Sequence, residues 1–99
     1  MKKEYVICVK VKKYTIFAKA GGYMFAAVDD GAHGTGFPCW GAEWGCKKFG
    51  SIDDAEEWFN SSLSFLLNEY KVDTIDLDSI AILSRQYVYN KEKSLFGGK

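Results

Sequence analysis

One segment constrains the rest of this chain: a single amphipathic helix whose apolar stripe must pack on a sheet. Ser51 can cap the start of this helix with its hydroxyl, and the acidic residues that follow suit the positive end of the helix dipole. The stripe recurs at three- and four-residue steps and consists of Ala55, Trp58, Phe59, Ser62, Leu63, Leu66 and Tyr70. The pattern predicts a helix from about Ile52 to Asn68.

Alternating apolar residues predict the strands that precede the helix. Glu4–Val11 has the period of two that is typical of a strand. Tyr14–Ala20 and Tyr23–Val28 are predicted to form the next two strands. The pair Gly21-Gly22 lies between them and accepts the positive φ angles of a tight hairpin. Cys46–Phe49 is predicted to be a strand fragment that leads into the helix.

The C-terminal part completes the predicted fold. A connector over residues 71–78 precedes a last strand over Ser79–Asn90, which is rich in β-branched and aromatic residues. The order is then βββαβ, an α+β fold in which an antiparallel sheet of three to four strands packs on one amphipathic helix. With 99 residues, the chain is predicted to form a single domain over residues 1–90 and a flexible tail over residues 91–99.

Composition excludes several classes of protein. No apolar run approaches the roughly 20 residues of a membrane-spanning helix, and the N-terminus lacks the apolar block of a signal peptide. Three cysteines at irregular spacing fit thiols better than a disulfide framework. The sequence therefore predicts a soluble, cytoplasmic protein with no membrane partner.

The charges are segregated although their formal sum is zero. Residues 1–20 contain six lysines and one glutamate, whereas residues 50–80 contain eight acidic residues and one lysine. The basic region also carries Tyr5, Tyr14 and Phe17, a combination that can hold a nucleic-acid backbone. No arginine is present there to recognise bases, so solvated lysines that protect the sheet edge are the favoured interpretation. Direct nucleic-acid binding is not expected.

The face of the predicted sheet opposite the helix also carries apolar residues that have to be buried. One helix covers one face, and the apolar residues predicted for the other are Val6, Cys8, Phe17, Met24 and Val28. Either the glycine-rich segment folds over them or a partner covers them. A homo-oligomer that forms through this face is therefore one of the predictions.

The segment Asp29–Cys46 holds the only histidine and proline, two of the three cysteines and two of the three tryptophans. A metal site built from His33, Cys39 and Cys46 lacks the close ligand pairs of structural zinc sites. A Cys-His catalytic pair would need a rigid cleft, which a glycine-rich loop does not provide. We therefore predict no metal, no cofactor and no catalytic residue.

The glycines of this segment suggest an alternative function. Glycine-rich turns let backbone amides approach an anion, so the turn could bind a nucleotide or another small ligand. The protein would then act as a sponge, that is, it would sequester a signalling molecule. The residues of this alternative are Gly31, His33, Gly34 and Gly36. The glycine spacing is not that of a dinucleotide-binding turn, and Phe37-Pro38 prevents an immediate helix, so a turn without a ligand is favoured.

Aromatic residues of the same segment indicate a protein-binding surface. Phe37, Trp40 and Trp44 belong to types that are enriched in binding hot spots, although the tryptophans could instead fold back as a lid over the sheet. Fixed carboxylates at the helix start form a second candidate contact, because they can imitate a nucleic-acid backbone or occupy a basic groove. These carboxylates are Asp53, Asp54, Glu56 and Glu57. A solvated helix face is their plainer interpretation.

Residues 47–58 (Lys-Lys-Phe-Gly-Ser-Ile-Asp-Asp-Ala-Glu-Glu-Trp) resemble a pattern of small phage and mobile-element proteins of Gram-positive bacteria. In those proteins two or three strands precede a Phe, a capping Ser or Thr and a Glu-rich helix, and the similarity extends to the architecture of residues 4–70. Some of them resemble inhibitors of host defence, including anti-CRISPR proteins. The resemblance implies a phage or mobile-element setting. Together with the small size, the separated charges and the aromatic loop, it predicts a non-enzymatic inhibitor that occludes a surface of a host protein or ribonucleoprotein complex of the CRISPR-Cas type. A host housekeeping adaptor fits the same features.

Overall fold

The computed structural model describes residues 4–29, 36–84 and 91–94. It is an α+β fold in which one helix packs on an antiparallel sheet, and this confirms the predicted class. The predicted order βββαβ is confirmed through β4, and β5 adds a fifth strand to the sheet. The elements are β1 (Tyr5–Val11), β2 (Tyr23–Asp29), β3 (Phe37–Gly41), α1 (Ile52–Asn68), β4 (Ile75–Ser84) and β5 (Lys91–Ser94). The order across the sheet is β3-β2-β1-β4-β5, so β1 is the central strand and β3 lies at one edge.

Helix α1 has the predicted bounds and the predicted cap. The Ser51 hydroxyl accepts a hydrogen bond from the backbone N–H of Asp54 at 3.1 Å, which satisfies one of the N–H groups that a helix start leaves without a partner. The buried side chains of the helix are Ala55, Phe59, Ser62 and Leu66. They all belong to the predicted stripe, so the helical period determined which face packs on the sheet.

The second strand was predicted in the wrong place. Residues 14–20 form a loop, because the buried Thr15 hydroxyl accepts hydrogen bonds from the backbone N–H groups of Phe17 (3.2 Å) and Ala18 (3.1 Å). Such local bonds compete with a strand ladder. Gly21, at φ +88°, donates its N–H to the Val11 carbonyl at 2.7 Å. The glycine turn thus closes a long connection between β1 and β2.

The third strand comes from the glycine-rich segment instead. Phe37–Gly41 pairs antiparallel with β2, from Phe25 opposite Gly41 to Asp29 opposite Phe37. The sequence indicated a glycine-rich loop for this stretch, which also contains Pro38. A proline is compatible with an edge strand, since its missing N–H can face away from the neighbouring strand.

Strand β4 begins earlier than predicted and contains a bulge. It starts at Ile75, and residues 77–80 lie opposite a single position of β1, between the pairs Lys10–Asp76 and Cys8–Ala81. The Ser79 hydroxyl bridges this bulge, because it accepts from the Lys10 N–H at 2.7 Å and donates to the Asp76 carbonyl at 2.6 Å. The bulge disrupts strand alternation, which explains why the sequence indicated a connector there.

The C-terminal segments also differ from the prediction. Lys91–Ser94 forms β5 and pairs antiparallel with β4, although it was predicted to belong to a flexible tail. Its mixture of lysine and glutamate carries little strand signal, so the pairing with β4 decides its conformation. Residues 85–90 of the predicted last strand and residues 95–99 of the predicted tail lie outside the described residues.

The helix-side core contains most of the large apolar side chains that are fully buried. It comprises Ile7, Val9, Val11, Met24, Ala26, Trp40, Phe49, Ala55, Phe59, Leu66, Ile75, Ile80 and Ile82. Met24 was predicted for the opposite face, but it belongs to this cluster. Side chains alternate along β2, so Met24 and Ala26 face the helix while Phe25 belongs to the opposite face.

The second face of the sheet is buried within the chain. Its cluster consists of Val6, Cys8, Phe25, Cys46, Ala81 and Leu83, each at most 6% exposed. Cys46 belongs to the segment that follows β3, so part of the glycine-rich region does fold over this face. Of the other residues predicted there, Val28 is half-buried and Phe17 is 42% exposed. Val6 and Cys8, which were predicted for an uncovered face, are therefore covered within one chain.

The segment before the helix fills the gap where β1 and β2 separate. The Lys47 N–H donates to the Ala26 carbonyl of β2 at 2.9 Å. Phe49 and Tyr5 of β1 exchange two backbone hydrogen bonds, each of 2.9 Å. These bonds agree with the predicted strand fragment, and they fix the point from which α1 starts.

Candidate functional site

The two candidate tryptophans have opposite environments. Trp40 is 1% exposed, and its indole N–H donates to the Leu66 carbonyl at 2.9 Å. Leu66 lies in the last turn of α1, where carbonyl groups lack partners within the helix. Trp40 therefore closes the end of the helix as a core residue, and its prediction as a partner contact was wrong.

Trp44 is the most exposed large apolar side chain in the described part of the chain, at 86%. It lies in a short 3₁₀ helix (Glu43–Gly45) that directly follows β3 and contains no buried residue. Of the two tryptophans, Trp44 is therefore the one that a partner could reach.

Phe37 is also accessible, and it is paired with a residue that the sequence did not identify. Phe37 is 50% exposed and Phe65 is 46% exposed, with their ring centroids 5.6 Å apart at an interplanar angle of 38°. Phe65 lies on α1 outside the apolar stripe. Phe65 is seven residues after Trp58, so it borders the stripe, and an additional aromatic residue at the edge of the stripe is the signal that could have revealed it.

A shallow open groove of about 430 Å³ lies beside this aromatic pair. Strand β3 forms one wall and the last turns of α1 form the other. The lining residues are Phe37, Pro38, Cys39, Ser64, Phe65, Asn68 and Glu69. The groove thus combines aromatic, amide and carboxylate groups on a surface that solvent reaches.

Negative charge lies at one end of the groove. The Glu69 carboxylate accepts a hydrogen bond from the backbone N–H of Trp40 at 2.7 Å. Burial raises the pKa of the neighbouring Tyr70, and the charges of Glu69 and Cys39 raise it further.

The acidic start of α1 faces solvent on the same side as Phe65. Asp53, Asp54 and Glu57 are exposed, whereas Glu56 is half-buried. Glu57 and Phe65 are eight residues apart, about 12 Å along the helix axis, and the exposed Ser61 lies four residues from each of them. Exposed small polar residues separate them, so the acidic residues and the aromatic pair form one continuous surface.

On the free edge of β3, no backbone N–H from Phe37 to Trp40 is available to a partner strand. Backbone N–H groups along an edge strand point alternately toward its neighbour and away from it. The Glu69 carboxylate accepts the Trp40 N–H, which shows that this group points away from β2. The other outward position is Pro38, which has no N–H. A partner strand therefore cannot build a regular ladder on this edge, and recognition has to use side chains.

Other predicted site residues give less information. Gly31, His33 and Gly34 lie outside the described residues, while Gly36 is exposed at φ +69°. Cys39 is half-buried and Cys46 is buried, and both are thiols. Among the residues that the structure describes, no three His, Cys, Asp or Glu side chains are grouped as a metal site would require.

Across those same described ranges, no helix is long and apolar enough to cross a bilayer. Comparison with known proteins finds no matching family model, no similar curated protein and no similar solved structure. The function has to be inferred from the chemistry of the surface itself.

Proposed function

We propose that this chain is a non-enzymatic protein-binding module whose contact surface runs from the acidic start of α1 to the pair Phe37–Phe65. The observation that carries the proposal is the ring pair, in which both aromatic side chains are about half exposed. Aromatic side chains beside a groove are typical anchors of protein interfaces, since they bury much area at little entropic cost. Trp44 is a separate exposed aromatic contact near the same strand.

The acidic residues favour a partner with a basic surface. Asp53, Asp54 and Glu57 are held on a rigid helix, so their charges have fixed spacing. Fixed carboxylates attract a groove that normally receives nucleic acid, and they increase the rate of encounter. The resemblance to phage inhibitors supports the same class of partner. The proposed activity is inhibition of a host defence nuclease complex by occlusion of such a groove.

The aromatic pair provides the first test. Phe37→Ser together with Phe65→Ser should weaken binding to the captured partner by about 100-fold, because two hot-spot side chains are removed. Both residues are half exposed, so the variant should still fold. Capture from the native host identifies the partner, and titration calorimetry with the purified partner measures the dissociation constant.

The matched variant Phe37→Leu with Phe65→Leu keeps most of the apolar area and should lose much less affinity. Circular dichroism of both variants confirms that they fold. A serine variant that folds and binds with the wild-type dissociation constant would show that the aromatic surface is not the contact.

The acidic contact provides the second test. Glu57→Lys should lower the association rate several-fold and reduce its dependence on salt, because charges at the rim of an interface act mainly on encounter. Stopped-flow measurements at several ionic strengths give this slope, and Glu57→Gln should show a smaller change in the same direction. An unchanged salt slope in Glu57→Lys contradicts a role for the acidic start of α1.

A further inference from the structure

A second exposed apolar surface lies on two neighbouring loops at the C-terminal end of β1. We call it the loop tip and define it by the exposed side chains of Tyr14, Ile16, Phe17 and Val72. Their exposed fractions are 74%, 81%, 42% and 67%, so the residues protrude rather than line a groove. None of them belongs to the surface proposed above.

The two loops are fastened to each other. The Lys12 N–H donates to the Thr74 carbonyl at 2.7 Å, and the Lys12 ammonium donates to the Val72 carbonyl at 3.2 Å. Thr15 is buried and fixes the turn that presents Ile16 and Phe17. The backbone of the tip is thus held by hydrogen bonds, so docking would order little additional backbone.

Lysines are frequent in the two loops that form the tip. Residues 12–22 and 71–74 contain four lysines and one acidic residue, Asp73. Lys13 donates a hydrogen bond to Asp73 at 2.8 Å, and this bond and the ammonium charge hold the pKa of that carboxyl below its ordinary value. Asp73 is therefore ionised at neutral pH and balances Lys13, while Lys12, Lys19 and Lys71 give the tip a positive charge.

We infer that the loop tip docks on the surface of an anionic lipid bilayer. Exposed aliphatic and aromatic side chains enter the boundary between headgroups and acyl chains, while lysines contact anionic headgroups. A protein partner is less suited to this composition, because lysine is depleted at protein interfaces. Single-stranded nucleic acid would stack on Tyr14 and Phe17, but it would leave the exposed aliphatic side chains of Ile16 and Val72 without a suitable contact. Such docking needs no membrane-spanning helix.

Vesicle sedimentation with the full chain tests the apolar part of this inference. The wild-type chain should bind phosphatidylcholine vesicles that contain phosphatidylglycerol and should bind pure phosphatidylcholine vesicles much less. Ile16→Glu should lower the partition coefficient about 10- to 100-fold, because it removes a buried aliphatic group and adds a repelled charge. Asn60→Glu adds the same charge at an exposed position of α1 and should leave the partition coefficient close to that of the wild type.

The lysines are tested in the same assay. Lys19→Gln with Lys71→Gln should lower the partition coefficient by about 30-fold, since each lysine near an anionic surface contributes about a factor of five. Failure of the wild-type chain to bind anionic vesicles overturns the inference. An equal loss of vesicle binding in Ile16→Glu and Asn60→Glu also overturns it. So does a wild-type chain that binds a single-stranded oligonucleotide but no vesicles, if Ile16→Glu weakens the binding to the oligonucleotide. Because Phe37 and Phe65 are untouched, these results are independent of the proposed protein-binding function.

Discussion

Replacement of Trp40 by alanine should destabilise the fold by about 3–5 kcal/mol, the range that measured truncations of large core aromatics show. Trp40 is 1% exposed and belongs to the helix-side core. Its removal leaves a cavity between β3 and α1, and it also leaves the Leu66 carbonyl without the indole donor. Domains of this size are stable by about 5–15 kcal/mol, so the variant should lose much of its stability. Urea unfolding followed by circular dichroism measures the loss.

Two matched variants separate the causes of this loss. Trp40→Phe keeps most of the ring volume but cannot donate to Leu66, so it should cost about 1–2 kcal/mol. Trp44→Ala removes the same type of residue from a site that is 86% exposed, and it should change the stability by less than about 0.5 kcal/mol. If Trp40→Ala and Trp44→Ala destabilised the protein equally, the contrast between a core tryptophan and a surface tryptophan would be wrong.

The contrast between these tryptophans also shows what the sequence could not determine. Trp40 and Trp44 lie four residues apart in a stretch that the sequence indicated as a loop, and nothing in residue type distinguishes them. The distinction arises when Phe37–Gly41 pairs with β2, which places Trp40 beside Ala26 and under the helix. Long-range pairing, which leaves little trace in local sequence, makes one tryptophan structural and the other accessible.

Helix α1 was predictable because its signals are local. The Ser51 cap, the acidic first turn and the periodic stripe all lie within the helix or next to it, and each was confirmed. The strands were harder to predict. Residues 14–20 have strand composition, but the Thr15 hydroxyl binds neighbouring backbone groups and forms a turn. Burial and tertiary hydrogen bonds overrode the composition of this segment.

The candidate surface was only partly predictable, for a similar reason. Phe37 and the acidic start of α1 could be proposed from residue types, and the structure places them on an accessible surface. Phe65 was missed because it is 28 positions from Phe37 in sequence, and only the packing of β3 against α1 brings the two rings together. The fold, and not the local sequence, therefore brings Phe37 and Phe65 into one candidate surface.

The edge of β3 provides the second large expected effect. Pro38→Ala together with Glu69→Ala should convert this edge into a template for strand addition, and the variant should form larger species than the wild-type chain at the same concentration. Alanine at position 38 supplies an outward N–H, and loss of the Glu69 carboxylate releases the N–H of Trp40. Two donors on alternate residues are what an added strand needs, and native proteins block such edges with proline and charge.

Analytical ultracentrifugation over a range of concentrations measures this association, and Pro38→Ala with Glu69→Gln is the matched control. The glutamine amide oxygen can still accept the Trp40 N–H, so only one donor is opened and the association should be much weaker. Thermal unfolding of both variants separates strand addition from general loss of stability. Equal association of the two double variants would mean that the Glu69 acceptor does not block the edge. If association is strong only when the carboxylate is removed, then one glutamate at the end of α1 keeps β3 available for side-chain recognition and closed to backbone pairing.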